Sequence, residues 1–190
     1  MNTIRTPLSG AVILEPKIFG DERGYFFESW NQKVWEAAGI KADFIQDNES
    51  KSRFGVLRGL HYQAAPYTQA KLVRVIQGAV LDVILDIRKG SPSFGQHFSV
   101  ELSSENKRQL FMPRGFAHGF TVLSEEVIFA YKCDNTYMPS HERGIAFNDP
   151  ALGIDWKVRP DHFILSPKDM KNPLFKDAEY LEYETEEMPK

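Results

Sequence analysis

The middle of the chain is a succession of short runs in which apolar and polar residues alternate. In residues 79–87, Leu81 and Val83 occupy one set of alternate positions and Asp82 the other. The predicted strands cover residues 71–76, 79–87, 98–102, 109–112, 119–123 and 127–133. A period of two is typical of strands, and little predicted helix lies between these runs. The pattern predicts a mainly β protein built as an antiparallel sandwich or barrel.

The flanking segments add little regular structure to this prediction. Gly20 and Gly24 are expected to bracket a turn before a strand at residues 25–30, and a short helix is predicted at residues 31–38. A chain of 190 residues suggests one domain, residues 1–190. The acidic segment of about residues 177–190 is expected to be a solvated tail.

Composition excludes several functional classes. The formal net charge is −3 and the pI is about 6.0, which argues against nucleic-acid binding. The single Cys133 excludes an internal disulfide and fits a reducing compartment. The sequence has neither a run long enough to span a bilayer nor a signal peptide, so we expect a soluble, cytoplasmic protein that does not act at a membrane.

Residues 46–63 combine polar side chains with a glycine-punctuated run and read Q-D-N-E-S-K-S-R-F-G-V-L-R-G-L-H-Y-Q. Strict alternation would put His61 and Leu57 on one face of the strand, and it would put Arg58 on the opposite face. A lone histidine on such a face is often a core residue whose nitrogens are both bonded. Because Arg58 and Lys71 lie near it in sequence, a functional site is the favoured interpretation.

The segment P-R-G-F-A-H-G at residues 113–119 resembles the second motif of cupin barrels, P-x-G-x-x-H. In metal cupins this histidine binds an ion together with a His-x-His pair and a glutamate. Here Gln63 stands where the second histidine of that pair would be, so we expect no metal. His118 then either lines a pocket and forms hydrogen bonds there, or lies in a turn where backbone groups form hydrogen bonds with its ring nitrogens.

Two further candidates carry little weight by themselves. Tyr131 lies on the apolar face of its predicted strand, where most tyrosines are packing residues. It could act as an acid if a cation such as Lys71 lowered its pKa. Asp169 follows a proline and is expected to be an exposed turn residue.

V-L-R-G-L-H-Y-Q, preceded by Q-D-N-x-S, resembles the dTDP-4-dehydrorhamnose 3,5-epimerases, and the resemblance extends over about residues 19–174. The motifs R-G-L-H-Y-Q, K-L-V-R, A-Y-K-C and L-S-P-K-D match the family's catalytic positions. The resemblance implies a cupin-like β-barrel or jelly roll with a few short helices and no cofactor. It also implies a base formed by His61 and Asp169, enolate stabilisation by Lys71, and an acid at Tyr131.

The resemblance also implies which residues bind a dTDP-4-keto-6-deoxy sugar. These substrate-binding positions are Arg23, Glu28, Gln46, Asn48, Arg58, His118, Tyr137, Glu142 and Lys168. In the family, an aromatic residue at the position of Tyr137 stacks on the thymine. The region from Arg23 to Glu28 comes from the partner subunit, which implies a homodimer in which the N-terminal strands, at about residues 1–30, are exchanged.

The chain differs from the commonest sequence of the family at two positions. Glu49 stands where histidine is frequent, and Arg114 stands where a small or acidic residue is frequent. Both residues could tune the choice of nucleotide or the extent of epimerisation. Two alternatives share this fold: a single-centre epimerase or a ketoisomerase of a dTDP-4-keto-6-deoxy sugar, and a cupin module that binds a sugar nucleotide without chemistry. A metal-dependent cupin oxygenase is a third alternative, and Gln63 argues against it.

Overall fold

The computed structural model describes residues 1–183 and consists mainly of two antiparallel β-sheets that pack against each other. The strands are β1 (Asn2–Arg5), β2 (Val12–Glu15), β3 (Phe19–Asp21), β4 (Gly24–Phe26), β5 (Gln46–Arg53), β6 (Leu57–Gln63), β7 (Lys71–Gln77), β8 (Ala79–Asp86), β9 (Arg88–Lys89), β10 (His97–Ser103), β11 (Gln109–Met112), β12 (Phe116–Val122), β13 (Glu126–Cys133), β14 (Glu142–Gly144) and β15 (Leu181–Glu182). The prediction of a mainly β, antiparallel protein is confirmed.

The larger sheet has the strand order β1-β2-β11-β7-β13-β5, and the smaller has the order β10-β8-β12-β6-β14. One hydrophobic core lies between them, since Val73 and Phe129 of the larger sheet pack in the same cluster as Ile84 and Phe120 of the smaller. The space between the two sheets is therefore a single interior, lined by the inward face of each sheet.

The outer face of the five-stranded sheet is also buried. Leu81, Val83 and Leu85 of β8 pack there with Trp156, which lies in the C-terminal part of the chain. Both faces of β8 are thus covered, which explains its nearly continuous apolar sequence. Asp82 is one of the few polar interruptions in this strand, and it lies on the inward face.

The predicted helix is confirmed as α1 (Gln32–Ala37), with the Asn31 side chain accepting a hydrogen bond at its N-terminus. It is followed by Gly39 at a positive φ of +89°, a conformation that favours glycine. Trp35 is its buried residue, whereas Val34 is exposed. Within residues 1–183, no helix has the length and apolar character needed to cross a membrane. Short 3-10 helices lie at Pro139–His141, Pro160–His162, Asp169–Lys171 and Phe175–Asp177.

Strands β3 and β4 form a separate hairpin, so the predicted turn between Gly20 and Gly24 is confirmed. The strand predicted at residues 25–30 ends earlier, at Phe26. The hairpin presents aromatic side chains to solvent, and Phe26 is 69% exposed. The expectation of a solvated acidic tail from about residue 177 is wrong for residues 177–183, because β15 pairs with β9 and Leu181 packs against the same outer cluster as Trp156. Residues 184–190 of the expected tail lie outside the described residues.

Candidate active site

A bulge between β6 and β12 decides which side chains of β6 point into the interior. Arg58 lies opposite Phe120, and His61 lies opposite His118. On β6, His61 is three residues after Arg58, whereas on β12 Phe120 is only two residues after His118. Residues two apart on a regular strand share a face, and the extra residue on β6 therefore brings Arg58 and His61 to one face. The prediction that His61 shares a face with Leu57 is wrong, because strict alternation does not allow for a bulge.

Two glycines make this bulge possible. Gly59 has a φ of +124°, and a β-carbon there would lie 2.5 Å from the Cα of Gly119. A β-carbon on Gly119 would lie 2.7 Å from the carbonyl oxygen of Arg58. Because both distances are far below ordinary van der Waals contact, the close approach of β6 and β12 requires glycine in both strands.

His61 is paired with a buried carboxylate. Its Nε2 lies 2.6 Å from Oδ1 of Asp169, which is only 3% exposed. The expectation that Asp169 is an exposed turn residue is therefore wrong. Burial would raise the pKa of Asp169, but hydrogen bonds from His61, the Ser166 hydroxyl and the Gly59 amide outweigh it and hold that pKa below its usual range. A carboxylate only accepts hydrogen bonds, so the proton of this contact belongs to Nε2 and Nδ1 is left as the basic nitrogen.

A second histidine–carboxylate pair lies next to the first. Nε2 of His118, on β12, lies 2.9 and 3.1 Å from the two carboxylate oxygens of Asp82, on β8. Both side chains are buried, with 8% and 0% of their surface exposed. His118 is thus a strand residue bonded to a carboxylate, and the alternative of a turn histidine satisfied by the backbone is wrong. The sequence interpretation did not single out Asp82, although an acid within an otherwise apolar strand was a usable signal.

Lys71, on β7, belongs to the opposite sheet. Burial lowers its pKa, and the neighbouring Cys133, Asp82 and Glu142 side chains oppose that effect. Asp82 and Glu142 lie on strands of the five-stranded sheet, so Lys71 faces the interior that the two histidines line. Its ammonium makes no ion pair with any residue among those described.

Tyr131, on β13, packs against the core between the sheets. Burial raises its pKa, with a further contribution from Cys133, while Arg58 acts in the opposite direction. The suggestion that a cation lowers this pKa below its ordinary value is wrong, since burial outweighs the effect of Arg58. Tyr131 therefore keeps its proton at neutral pH, as a proton donor must.

Five of the nine predicted substrate-binding residues form one connected group. The Tyr137 hydroxyl donates a 2.5 Å hydrogen bond to Glu142, which also pairs with Lys168. The Gln46 side chain accepts a hydrogen bond from the Tyr137 amide at 3.1 Å and donates one to Asn48 at 3.0 Å. Burial would raise the pKa of Glu142, but the hydrogen bonds from Lys168 and Tyr137 outweigh it and lower that pKa.

The remaining predicted binding residues have different surroundings. The guanidinium of Arg58 donates to Ser52 at 3.1 and 3.3 Å and lies on the same face as His61. Arg23 is 85% exposed on the β3–β4 hairpin and pairs with Asp21. Glu28 accepts a hydrogen bond from Asn31. Within residues 1–183, neither Arg23 nor Glu28 forms a hydrogen bond or ion pair with another predicted site residue.

Gln63, at the position of a cupin metal ligand, has a structural contact instead. Its amide nitrogen donates to the carbonyls of Tyr67 and Thr136 at 2.7 and 3.1 Å, and its oxygen accepts from the Met138 amide at 2.6 Å. The part of the chain that the structure describes contains no group of three or more His, Cys, Asp or Glu side chains arranged to hold a metal. That the protein binds no metal stays a prediction.

Comparison with known proteins gives one consistent result. The family model for dTDP-4-dehydrorhamnose 3,5-epimerase matches residues 5–177. A protein of Shigella flexneri with that name is 56% identical over 181 residues, which cover 95% of this chain and 99% of the relative.

Solved structures agree with the sequence match. A dTDP-6-deoxy-D-glucose-3,5-epimerase of Legionella pneumophila, solved with dTDP-4-keto-L-rhamnose, is 50% identical with a TM-score of 0.92 and covers 96% of this chain and 98% of that one. ChmJ of Streptomyces bikiniensis, a 3'-monoepimerase solved with dTDP-quinovose, is 33% identical with a TM-score of 0.84, covering 91% of this chain and 87% of that one. The resemblance in the sequence motifs is confirmed, and this chain belongs to the dTDP-4-dehydrorhamnose 3,5-epimerase family.

Proposed function

We propose that this enzyme inverts C3 and C5 of dTDP-4-dehydro-6-deoxy-glucose through enolate intermediates and so forms dTDP-4-dehydro-L-rhamnose. The observation that carries the proposal is that His61, on one sheet, is paired with buried Asp169, while Tyr131 lies on the inward face of the other sheet. Such an interior has a base and an acid on opposite walls, which is what inversion of a carbon centre needs.

In the first step, Nδ1 of His61 removes the hydrogen from a carbon next to the C4 ketone. The electron pair of that C–H bond forms the enolate, and negative charge develops on the C4 oxygen. Asp169 stabilises the imidazolium that results, because its negative carboxylate accepts a hydrogen bond from Nε2–H while the proton stays on the nitrogen. Lys71 lies in the same interior and stabilises the enolate oxygen.

In the second step, Tyr131 gives its phenolic proton to the same carbon from the opposite face. The ketone is restored and the centre is inverted, while His61 returns its proton to solvent and Tyr131 regains one. Because C3 and C5 both flank C4, the same groups serve both centres in turn. The carbon skeleton is neither oxidised nor reduced overall, so this mechanism requires no redox cofactor.

The group formed by Gln46, Asn48, Tyr137, Glu142 and Lys168 is proposed to bind the nucleotide. An exposed aromatic ring such as that of Tyr137 suits stacking on thymine, and Lys168 suits the diphosphate. Amides and carboxylates suit the edges of a base and of a ribose. We assign the sugar to Arg58 and His118, which lie on the inward face beside His61.

We further propose that the protein is a homodimer in which residues 1–30 reach the partner. The exposed aromatic residues of the β3–β4 hairpin support this, because such a patch is costly to leave in water. Arg23, on the same hairpin, would then contact the nucleotide in the partner's site, together with Glu28. The unpaired Cys133 supports a cytoplasmic location.

An enzyme that inverts a single centre is the second candidate, since ChmJ, with the same fold, is a 3'-monoepimerase. The test is to incubate the protein with dTDP-4-dehydro-6-deoxy-glucose in deuterated water and to follow the sugar protons by NMR, beside His61→Ala. Deuterium at C3 and C5 that is absent in the variant is the expected result. Exchange at one carbon favours the second candidate, and nucleotide binding without exchange favours a non-catalytic module.

A further inference from the structure

The interior contains two histidine–carboxylate pairs, and the mechanism above uses only one of them. His118 lies directly opposite His61 on the adjacent strand, and each ring contacts a buried aspartate through Nε2. Directly opposite residues of paired strands project to the same face of a sheet. His118 therefore faces the interior in which His61 is proposed to act.

The partner of His118 determines which ring nitrogen remains available. Asp82 only accepts hydrogen bonds, so Nε2 of His118 carries a proton. Nδ1 of His118 has no hydrogen-bond partner among residues 1–183. The ring also stacks on Phe129, with 6.1 Å between the ring centroids and 23° between the planes, which fixes its orientation. Asp82 and Phe129 thus hold an imidazole with one free nitrogen.

The complete burial of Asp82 also constrains the charges around it. A fully buried carboxylate is costly unless a cation or several donors face it. His118 touches it directly, and Lys71 of β7 interacts with it through space. Among residues 1–183, this interior also contains the charged or titratable side chains of Arg58 and His61 of β6, Asp169 paired with His61, Tyr131 and Cys133 of β13, and Glu142 of β14.

We propose that Asp82 is a positioning residue for the epimerase reaction: it holds His118 as the Nε2–H tautomer, so that Nδ1 of this ring accepts a hydrogen bond from a hydroxyl of the bound sugar. This inference rests on the proposed function. His118 exchanges no proton with the substrate in this role, and no bond to hydrogen is broken. Because an acceptor fixed in place holds the sugar in the orientation that the proton transfers need, its loss lowers kcat more than it changes KM.

The test compares Asp82→Asn with a matched control, Asp86→Asn. Asparagine keeps the shape and an acceptor oxygen but removes the charge. Asp86 lies on the same strand and is equally buried, but it pairs with Arg88 rather than a histidine. We expect kcat of Asp82→Asn to fall by about 10- to 100-fold with little change in KM, as when a partner that orients a histidine is lost. Asp86→Asn should lower the melting temperature and leave kcat of the folded enzyme unchanged.

A second measurement needs no substrate. Nitrogen-15 NMR at pH 8 should show His118 as the Nε2–H tautomer in the wild-type protein and as a mixture of both neutral tautomers in Asp82→Asn, because an amide both donates and accepts hydrogen bonds. The Nδ1–H tautomer in the wild type, an unchanged kcat in Asp82→Asn, or an equal loss of kcat in both variants overturns the inference. If Asp82→Asn does not fold, the wild-type spectrum decides. A wild-type protein that incorporates no deuterium rejects the proposed function and this inference with it, whereas an active wild type with an unaffected Asp82→Asn rejects the inference alone.

Discussion

Nε2 of His61 lies 2.6 Å from Oδ1 of Asp169, although the two residues belong to distant parts of the chain. β6 supplies the histidine, and the short 3-10 helix Asp169–Lys171 supplies the carboxylate. The Gly59 amide, two residues before His61, also donates to Asp169 at 3.3 Å. The bulged strand therefore fixes both the base and the group that orients it.

Replacing Asp169 with asparagine should lower kcat by about 10²- to 10⁴-fold, the range of general acid–base contributions, because the imidazolium of His61 loses its counter-charge. Steady-state kinetics with the dTDP-linked ketosugar measure this. Asp155→Asn removes an exposed carboxylate that pairs with Lys157 and is the control, with no expected change. Equal activity of the two variants would contradict the assigned role of Asp169.

The lowered pKa of Asp169 also predicts how stability depends on pH. Its folded-state pKa is below the unfolded value, so its contribution is present above the unfolded pKa, near 4, and is lost as pH falls through the folded pKa. When the pH is lowered from 6 into the acidic range, the melting temperature of Asp169→Asn should therefore fall by less than that of the wild type. Thermal unfolding of both proteins over this range measures the difference. A steeper acid dependence in the variant would reverse the sign and contradict the prediction.

Removing the Tyr131 hydroxyl should separate the two proton transfers. In Tyr131→Phe, His61 still removes a proton and can return one to the same face, so we expect deuterium exchange to persist while inversion is lost. Stability should change little, because the ring still packs in the core and the hydroxyl has no bond within the described residues.

Tyr62→Phe is the control for Tyr131→Phe, since the Tyr62 hydroxyl donates to the Glu179 carbonyl on the outer side of the sheet. It should cost about 1 kcal/mol of stability and leave turnover intact. Loss of inversion in Tyr62→Phe, or full inversion by Tyr131→Phe, would show that Tyr131 is not the acid.

Much of the fold was predictable because strand periodicity is local. The alternation in β7, β8, β10 and β13 reflects which side of each strand is buried, and a short window of sequence contains it. The bulge at Gly59 was not predictable in this way, because it depends on a contact with Gly119 on another strand. The burial of Asp169 likewise depends on His61, more than a hundred residues earlier, and only the resemblance to a family joined them.

The bulge gives a prediction about stability. Gly59→Ala places a β-carbon 2.5 Å from the backbone of β12, whereas a β-carbon on Gly153, which also has a positive φ, would meet no atom within 4 Å. Gly153→Ala should cost about 1 kcal/mol from backbone strain alone. Gly59→Ala should cost about 1–3 kcal/mol more, from the clash with β12. Urea unfolding of both variants tests this, and equal costs would show that β6 and β12 can separate freely at this point.

Arg23 offers a test of whether two chains share one site. It is 85% exposed and its pair with Asp21 is worth little, so Arg23→Ala should leave the fold stable while weakening binding of dTDP. If Arg23 acts in the partner's site, a mixed dimer of Arg23→Ala and His61→Ala contains one site in which both residues are intact. An equal mixture, unfolded and refolded together, should then recover about a quarter of wild-type activity, because half of the dimers are mixed and each has one such site of two. If Arg23 acts within its own chain, no site in the mixed dimer is intact and activity stays at the level of the separate variants.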